Sequence, residues 1–160
     1  MQVAFYSVLT LVSFIIFYQD LKERQVSLWL LLLYTGVIIT YTIYEKGIDL
    51  TLQNTIYSLA YFALCFGGIY LYYFVKERQL PKIMDVKLGW GDVAVCLSIG
   101  ISLDIINLVI FFTASFVISA IIGLVLQAKN MTVPLAGFLV ILYLVFICIS
   151  VYFPLDLVFL

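Results

Sequence analysis

The sequence predicts an all-α fold, a polytopic membrane helix bundle of about six transmembrane helices. Three observations carry that prediction. Of its 160 residues, 66% are hydrophobic and only 11% are charged, whereas about a quarter are charged in a soluble domain. So little polar surface cannot cover a chain in water, and lipid must be the solvent for much of it. The apolar residues also fall into runs close to the roughly 20 residues that cross a hydrocarbon core. Finally, threading those runs through a bilayer gathers nearly all the basic residues on one side.

The first run is Val3 to Tyr18. It has no basic segment before it and no small-residue cleavage site, and positive charges follow it, so it reads as a retained span and not a signal peptide. The second, Val26 to Tyr44, is closed by the breaker Glu45-Lys46-Gly47. The third is Thr55 to Val75, followed by the one long loop, Lys76 to Gly91, which contains Pro81, Gly89 and Gly91. The fourth run, Val93 to Leu103, is too short to span alone unless its entry lies in a polar recess of the protein. Ile105 to Leu126 and Val133 to Phe153 complete the set. No repeat, linker or low-complexity tract divides the chain, so residues 1–160 read as a single integral-membrane domain.

With six spans, the loops at 19–25, 76–91 and 127–132 share one side. They hold Lys22, Arg24, Lys76, Arg78, Lys82, Lys87 and Lys129, while the opposite side has only Lys46. The positive-inside rule then puts those loops in the cytoplasm, with both termini outside, in a cell membrane.

Composition narrows the chemistry. Histidine is absent, which removes the commonest general base, the commonest transition-metal ligand and the usual nucleophilic triads. A net charge of −1 offers no field for nucleic acid. Cys65, Cys96 and Cys148 lie singly in apolar runs, without the spacing of a zinc site or a disulfide framework. No metal or other cofactor is expected. The twelve tyrosines and thirteen phenylalanines recur near span ends, as at Tyr41, Tyr44, Tyr72, Tyr73 and Phe74, where interfacial belts account for them.

That leaves the acids. Glu45, Asp49, Asp104 and Asp156 fall on or near the outer side, and Glu23, Glu77 and Asp85 lie among cytoplasmic lysines and arginines. Asp20 closes the first span and Asp92 opens the fourth, so the topology puts both at one depth on one side. Two adjacent carboxylates cannot both ionise cheaply and share a proton. The ionised partner can then activate water while the protonated one donates to a carbonyl oxygen or leaving amine, without histidine or metal. Each aspartate has a plainer alternative: Asp20 as an interfacial anchor, Asp92 as the cap of an ordinary turn. Gly89 and Gly91 leave room for backbone to approach a second helix or an extended peptide.

These residues carry a resemblance. Gly89-Trp90-Gly91-Asp92-Val93 resembles the GxGD motif of type IV prepilin peptidases and the related archaeal preflagellin peptidases, in which that aspartate is one of two catalytic aspartates. Asp20-Leu21-Lys22-Glu23-Arg24-Gln25-Val26 is similar to the segment bearing the other. Thr132 to Phe138 is similar to the family's proline-led opening of the last helix, and Pro134 to Gly137 either lines the cleft or packs that helix. The resemblance runs along the whole chain in order, spacing and span count. It implies Asp20 and Asp92 as the catalytic pair, with Gly89, Gly91 and Pro134 beside the substrate. The substrates it implies are pilin-like or pseudopilin precursors, cut after the glycine that ends a short basic leader at the cytoplasmic membrane surface. This sequence departs from the family at Ser27, where proline is common, and at Ala94, where lysine is frequent. It has no CxxC pair, so the resemblance implies cleavage without N-methylation. Lys22, Arg24, Lys82 and Lys87 are expected to meet lipid head groups or fix topology.

Two readings from other classes remain beside the peptidase. A small proton-coupled transporter predicts acids near mid-membrane, whereas Asp20 and Asp92 fall at one boundary. A non-catalytic homologue that holds or assembles pilin-like subunits is also compatible with the sequence, although the retained aspartates favour activity; the oligomeric state stays open.

Overall fold

A computed structural model describes residues 2–77, 89–127 and 135–152. Its elements are α1 (Gln2–Glu23), α2 (Leu28–Glu77), α3 (Trp90–Ser102), α4 (Ile105–Gln127) and α5 (Leu135–Tyr152), with no strand among the described residues. Three helical stretches are long and apolar enough to cross a membrane: Ala4–Glu23, Leu28–Lys76 and Ile105–Gly123. Trp90–Ser102 and Leu135–Ile149 are shorter apolar helices. The chain is a membrane helix bundle.

Among the described residues, five helices give six helical passes because α2 is two arms joined at Gly47, whose φ of 83° and ψ of 171° leave the helical region. Contacts on either side show that the arms fold back on each other. Thr35 Oγ1 and Ser98 Oγ are 2.6 Å apart, and Ser58, on the other arm, lies directly against Gly100. In a straight helix Thr35 and Ser58 would stand about 34 Å apart, yet here they meet residues only two apart on α3. The expected break at Gly47 is therefore present. The stretch from Ile48 to Asn54, read from the sequence as a connection, is helical instead.

The reason is that its polar groups find partners inside the protein. Thr51 Oγ1 donates to the Gly47 carbonyl and Thr55 Oγ1 to that of Thr51, each at 2.7 Å. Asn54 Nδ2 donates to Asp104 Oδ1 at 3.1 Å, and Lys46 Nζ reaches the same oxygen at 2.9 Å. One carboxylate thus pins both arms of α2 to the link between α3 and α4. Further along, Thr40 and Thr42 donate back to the Gly36 and Ile38 carbonyls, which is how hydroxyls are accommodated where water is absent.

α3 is as short as its apolar run and lies at the centre. Val95, Cys96, Ser98, Ile99 and Gly100 are buried against both arms of α2 and against α5. A Cβ at Gly100 would collide with Ser58 Oγ, so the missing side chain lets α3 and the second arm of α2 pack backbone to side chain. α1 packs chiefly on α5 and the first arm of α2, through Leu9, Val12 and Ile16. Outward-facing Leu11, Phe14, Leu32, Leu64 and Ile106 present apolar surface suited to lipid.

Candidate active site

Asp20 lies in the last turn of α1, and at 6% exposure it is the one buried charged residue among the described residues. The helix closes just beyond it. Arg24 takes a left-handed φ of 57°, and its amide donates to the Asp20 carbonyl at 3.1 Å, satisfying a terminal carbonyl. The chain then turns into α2 through Gln25, Val26 and Ser27. The Ser27 amide donates to Gln19 Oε1 at 3.0 Å, while its carbonyl accepts from the amides of Leu30 and Leu31. Proline at this position would lack the N–H that clips the turn to α1, so the serine has a local reason.

Asp92 comes from a different element. Gly89, extended at φ −77° and ψ 142°, caps α3 and accepts from the amides of Asp92 and Val93. The reading of Asp92 as the cap itself is corrected: it stands at the third helical position, from which its carboxylate reaches back to the Gly89 amide. An acid there also faces the positive end of its own helix. Gly91 meets the turn after α1, since a Cβ on it would lie 3.9 Å from Val26 Cβ. The two segments singled out in the sequence therefore touch.

The carboxylates themselves converge on a third element, the first turn of α5. The Gly137 amide donates to Asp20 Oδ2 at 2.7 Å, and the Ala136 amide interacts with the Asp92 carboxylate. First-turn amides have no partner within their own helix and carry its positive partial charge, so they suit two acids in an apolar bundle. The two carboxylates also interact electrostatically with each other.

Sequence reasoning named Asp20, Asp92, Gly89 and Gly91, and the structure brings all four to one end of the bundle. Pro134, Lys82 and Lys87 lie outside the described residues. Ala136 and Gly137 belong to the Pro134–Gly137 segment that the sequence offered as lining the cleft or packing the last helix; what it did not give was the role of their amides as donors to the two carboxylates. Lys22 is exposed, with Nζ 5.8 Å from the Tyr18 ring centre. Ala94 leaves its carbonyl to the Ser98 hydroxyl at 2.7 Å. Among the described residues no three histidine, cysteine, aspartate or glutamate side chains gather as a metal site would require.

Comparison with known families decides the affiliation. Residues 7–124 match the type IV leader peptidase family, a stretch that contains both aspartates. The chain belongs to the type IV leader peptidase family. No curated protein and no solved structure matches it. Membership in a leader peptidase family makes a membrane-embedded peptidase the function of this class of chain. Gly137 lies beyond the matched residues, so its contact with Asp20 comes from the structure alone.

Proposed function

We propose that this chain is an aspartic endopeptidase that removes the short basic leader from pilin-like precursors, cutting after a glycine at the cytoplasmic face of the membrane. The observation that carries the reading is the meeting of Asp20 and Asp92, from the end of α1 and the start of α3, at the first turn of α5. A water held between the two carboxylates gives a proton to the ionised one as its oxygen attacks the scissile carbonyl. The protonated partner donates to the carbonyl oxygen. As the tetrahedral intermediate collapses, the aspartate that took the water's proton gives it to the leaving amine, and a hydroxyl of the intermediate returns a proton to the other carboxylate, so the pair ends as it began. No metal or histidine is called for.

The charge map supports the orientation. Lys22, Arg24 and Lys76 lie at the ends of α1 and α2 on the side of the pair, and Lys46 at the other end. Gly89 and Gly91 precede Asp92 and have no side chain of their own, which suits the approach of an extended peptide.

The test is cleavage of a pilin-like precursor co-expressed in membranes with the wild-type chain, Asp20→Asn or Asp92→Asn. Leader removal by the wild type and its fall by at least about a hundredfold in each variant, at equal protein level, is the expected result. Equal cleavage by all three refutes the catalytic assignment. Cleavage by none, across several precursors, favours a role in assembly or transport.

A further inference from the structure

The catalytic pair is drawn from two helices, α1 and α3, that have no extended interface of their own; α5 packs on both. α2 packs on both as well, but the contacts to the two carboxylates themselves are made by the first turn of α5. The Gly137 amide reaches Asp20 Oδ2 at 2.7 Å, and the preceding amide, of Ala136, faces Asp92. Successive amides of one turn are fixed relative to each other by the helix, so they act as a rigid two-point gauge.

The gauge works only if α5 can come close. A Cβ on Gly137 would stand 3.1 Å from Phe17 Cδ2, 3.2 Å from Asp20 Oδ2 and 3.3 Å from Asp20 Cβ, tighter than ordinary carbon contacts on three counts. Phe17 is itself held edge-on by Phe138, with ring centres 6.0 Å apart, so it cannot swing aside freely. Gly36, Gly67 and Gly68 differ, since a Cβ on any of them meets nothing within 4 Å. Gly137 alone among these has its side-chain space filled by the site.

We propose that Gly137 is a positioning residue, whose lack of a side chain lets the first turn of α5 hold Asp20 and Asp92 in register. This rests on the two-aspartate reading above. A side chain at 137 pushes α5 off α1, lengthens the bond to Asp20 and shifts one carboxylate relative to the other. Substrate contacts are untouched, so the turnover step suffers and binding does not.

The experiment uses the full chain in membranes, with Gly137→Ala, Gly137→Val and, as control, Gly68→Ala. Cleavage kinetics are measured per folded molecule, together with the isotope-edited infrared band of the Asp20 carboxyl, assigned by its loss in Asp20→Asn. For Gly137→Val the expected result is a kcat lower by about tenfold or more, a KM within about twofold of wild type, and a shifted Asp20 band. Gly137→Ala shows the same changes to a smaller degree, and Gly68→Ala shows none. A kcat per folded molecule that stays at the wild-type level, or an Asp20 band that does not move, overturns the proposal. If the valine chain does not accumulate, the alanine chain decides on the same criteria. If the wild type cleaves no precursor, the protease reading fails by itself, and the infrared band still decides whether Gly137 holds Asp20.

Discussion

Around Asp20 and Asp92, individual glycines have unequal reasons to be glycine. Gly89 caps α3 at φ −77° and ψ 142°, a conformation open to any residue. A Cβ on Gly91 would rest 3.9 Å from Val26, an ordinary contact. The described fold therefore does not demand glycine at Gly91, whereas a Cβ on Gly89 would stand 3.2 Å from Asp92 Oδ2, and one on Gly137 would stand 3.1 Å from Phe17 Cδ2 and 3.2 Å from Asp20 Oδ2. Gly91→Ala is therefore expected to accumulate and melt like the wild type, within about 0.5 kcal/mol. If an extended peptide passes over Gly91, the same variant raises the KM for precursor several-fold. An unchanged KM removes Gly91 from the substrate path. Ser27 is also legible only at this scale. The sequence shows it as a departure from a common proline, whereas its amide bond to Gln19 Oε1 gives the departure a cause that composition cannot express.

Among the elements, the hairpin in α2 depends on one backbone conformation and one carboxylate. Gly47 sits at φ 83°, ψ 171°, a region essentially closed to residues with a Cβ. Gly47→Ala should cost about 1–3 kcal/mol, seen as a lower unfolding midpoint in detergent, with kcat/KM of the folded fraction unchanged because the turn lies at the far end from Asp20. Asp104 ties Lys46 and Asn54 together at that end, with exposures of 10% for Lys46 and 27% for Asp104. Its replacement by alanine should lower stability by about 1.5–3 kcal/mol, again with little effect on turnover. A large loss of kcat with an unchanged midpoint would contradict this division between a structural end and a reacting end. The break at Gly47 was legible because Glu-Lys-Gly interrupts an apolar run. The helix directly after it was not, because Asp49, Thr51, Gln53 and Asn54 read as solvent-facing. Thr51 and Asn54 instead bond within the protein, and polarity alone cannot distinguish a group satisfied by water from one satisfied by a neighbouring helix.

At the scale of the whole molecule, the up-and-down course of six passes is what carries residues 20, 92 and 137 to one end. The first two were legible as companions because an even number of crossings separates them and both are carboxylates at the edge of an apolar run. The third lay in the Pro134–Gly137 segment, read as lining the cleft or packing the last helix, but its role was not legible, because a main-chain amide is alike in every residue and leaves no mark in composition. The same course makes the bundle's polarity testable. Lys22, Arg24 and Lys76 stand at the site end and Lys46 at the other, and the proposed orientation, which rests on the positive-inside bias, has Asp20 and Asp92 on the cytoplasmic side. Exposed positions report each end: Gln25 in the turn after α1, and Asp49 just past Gly47. In a chain whose own three cysteines are replaced, Asp49→Cys should react with a membrane-impermeant maleimide in intact cells. Gln25→Cys should react only after the cells are opened. The opposite pattern would turn the bundle over and put the carboxylate pair outside. Cleavage of a leader that lies in the cytoplasm would then be impossible, even with both aspartates in place.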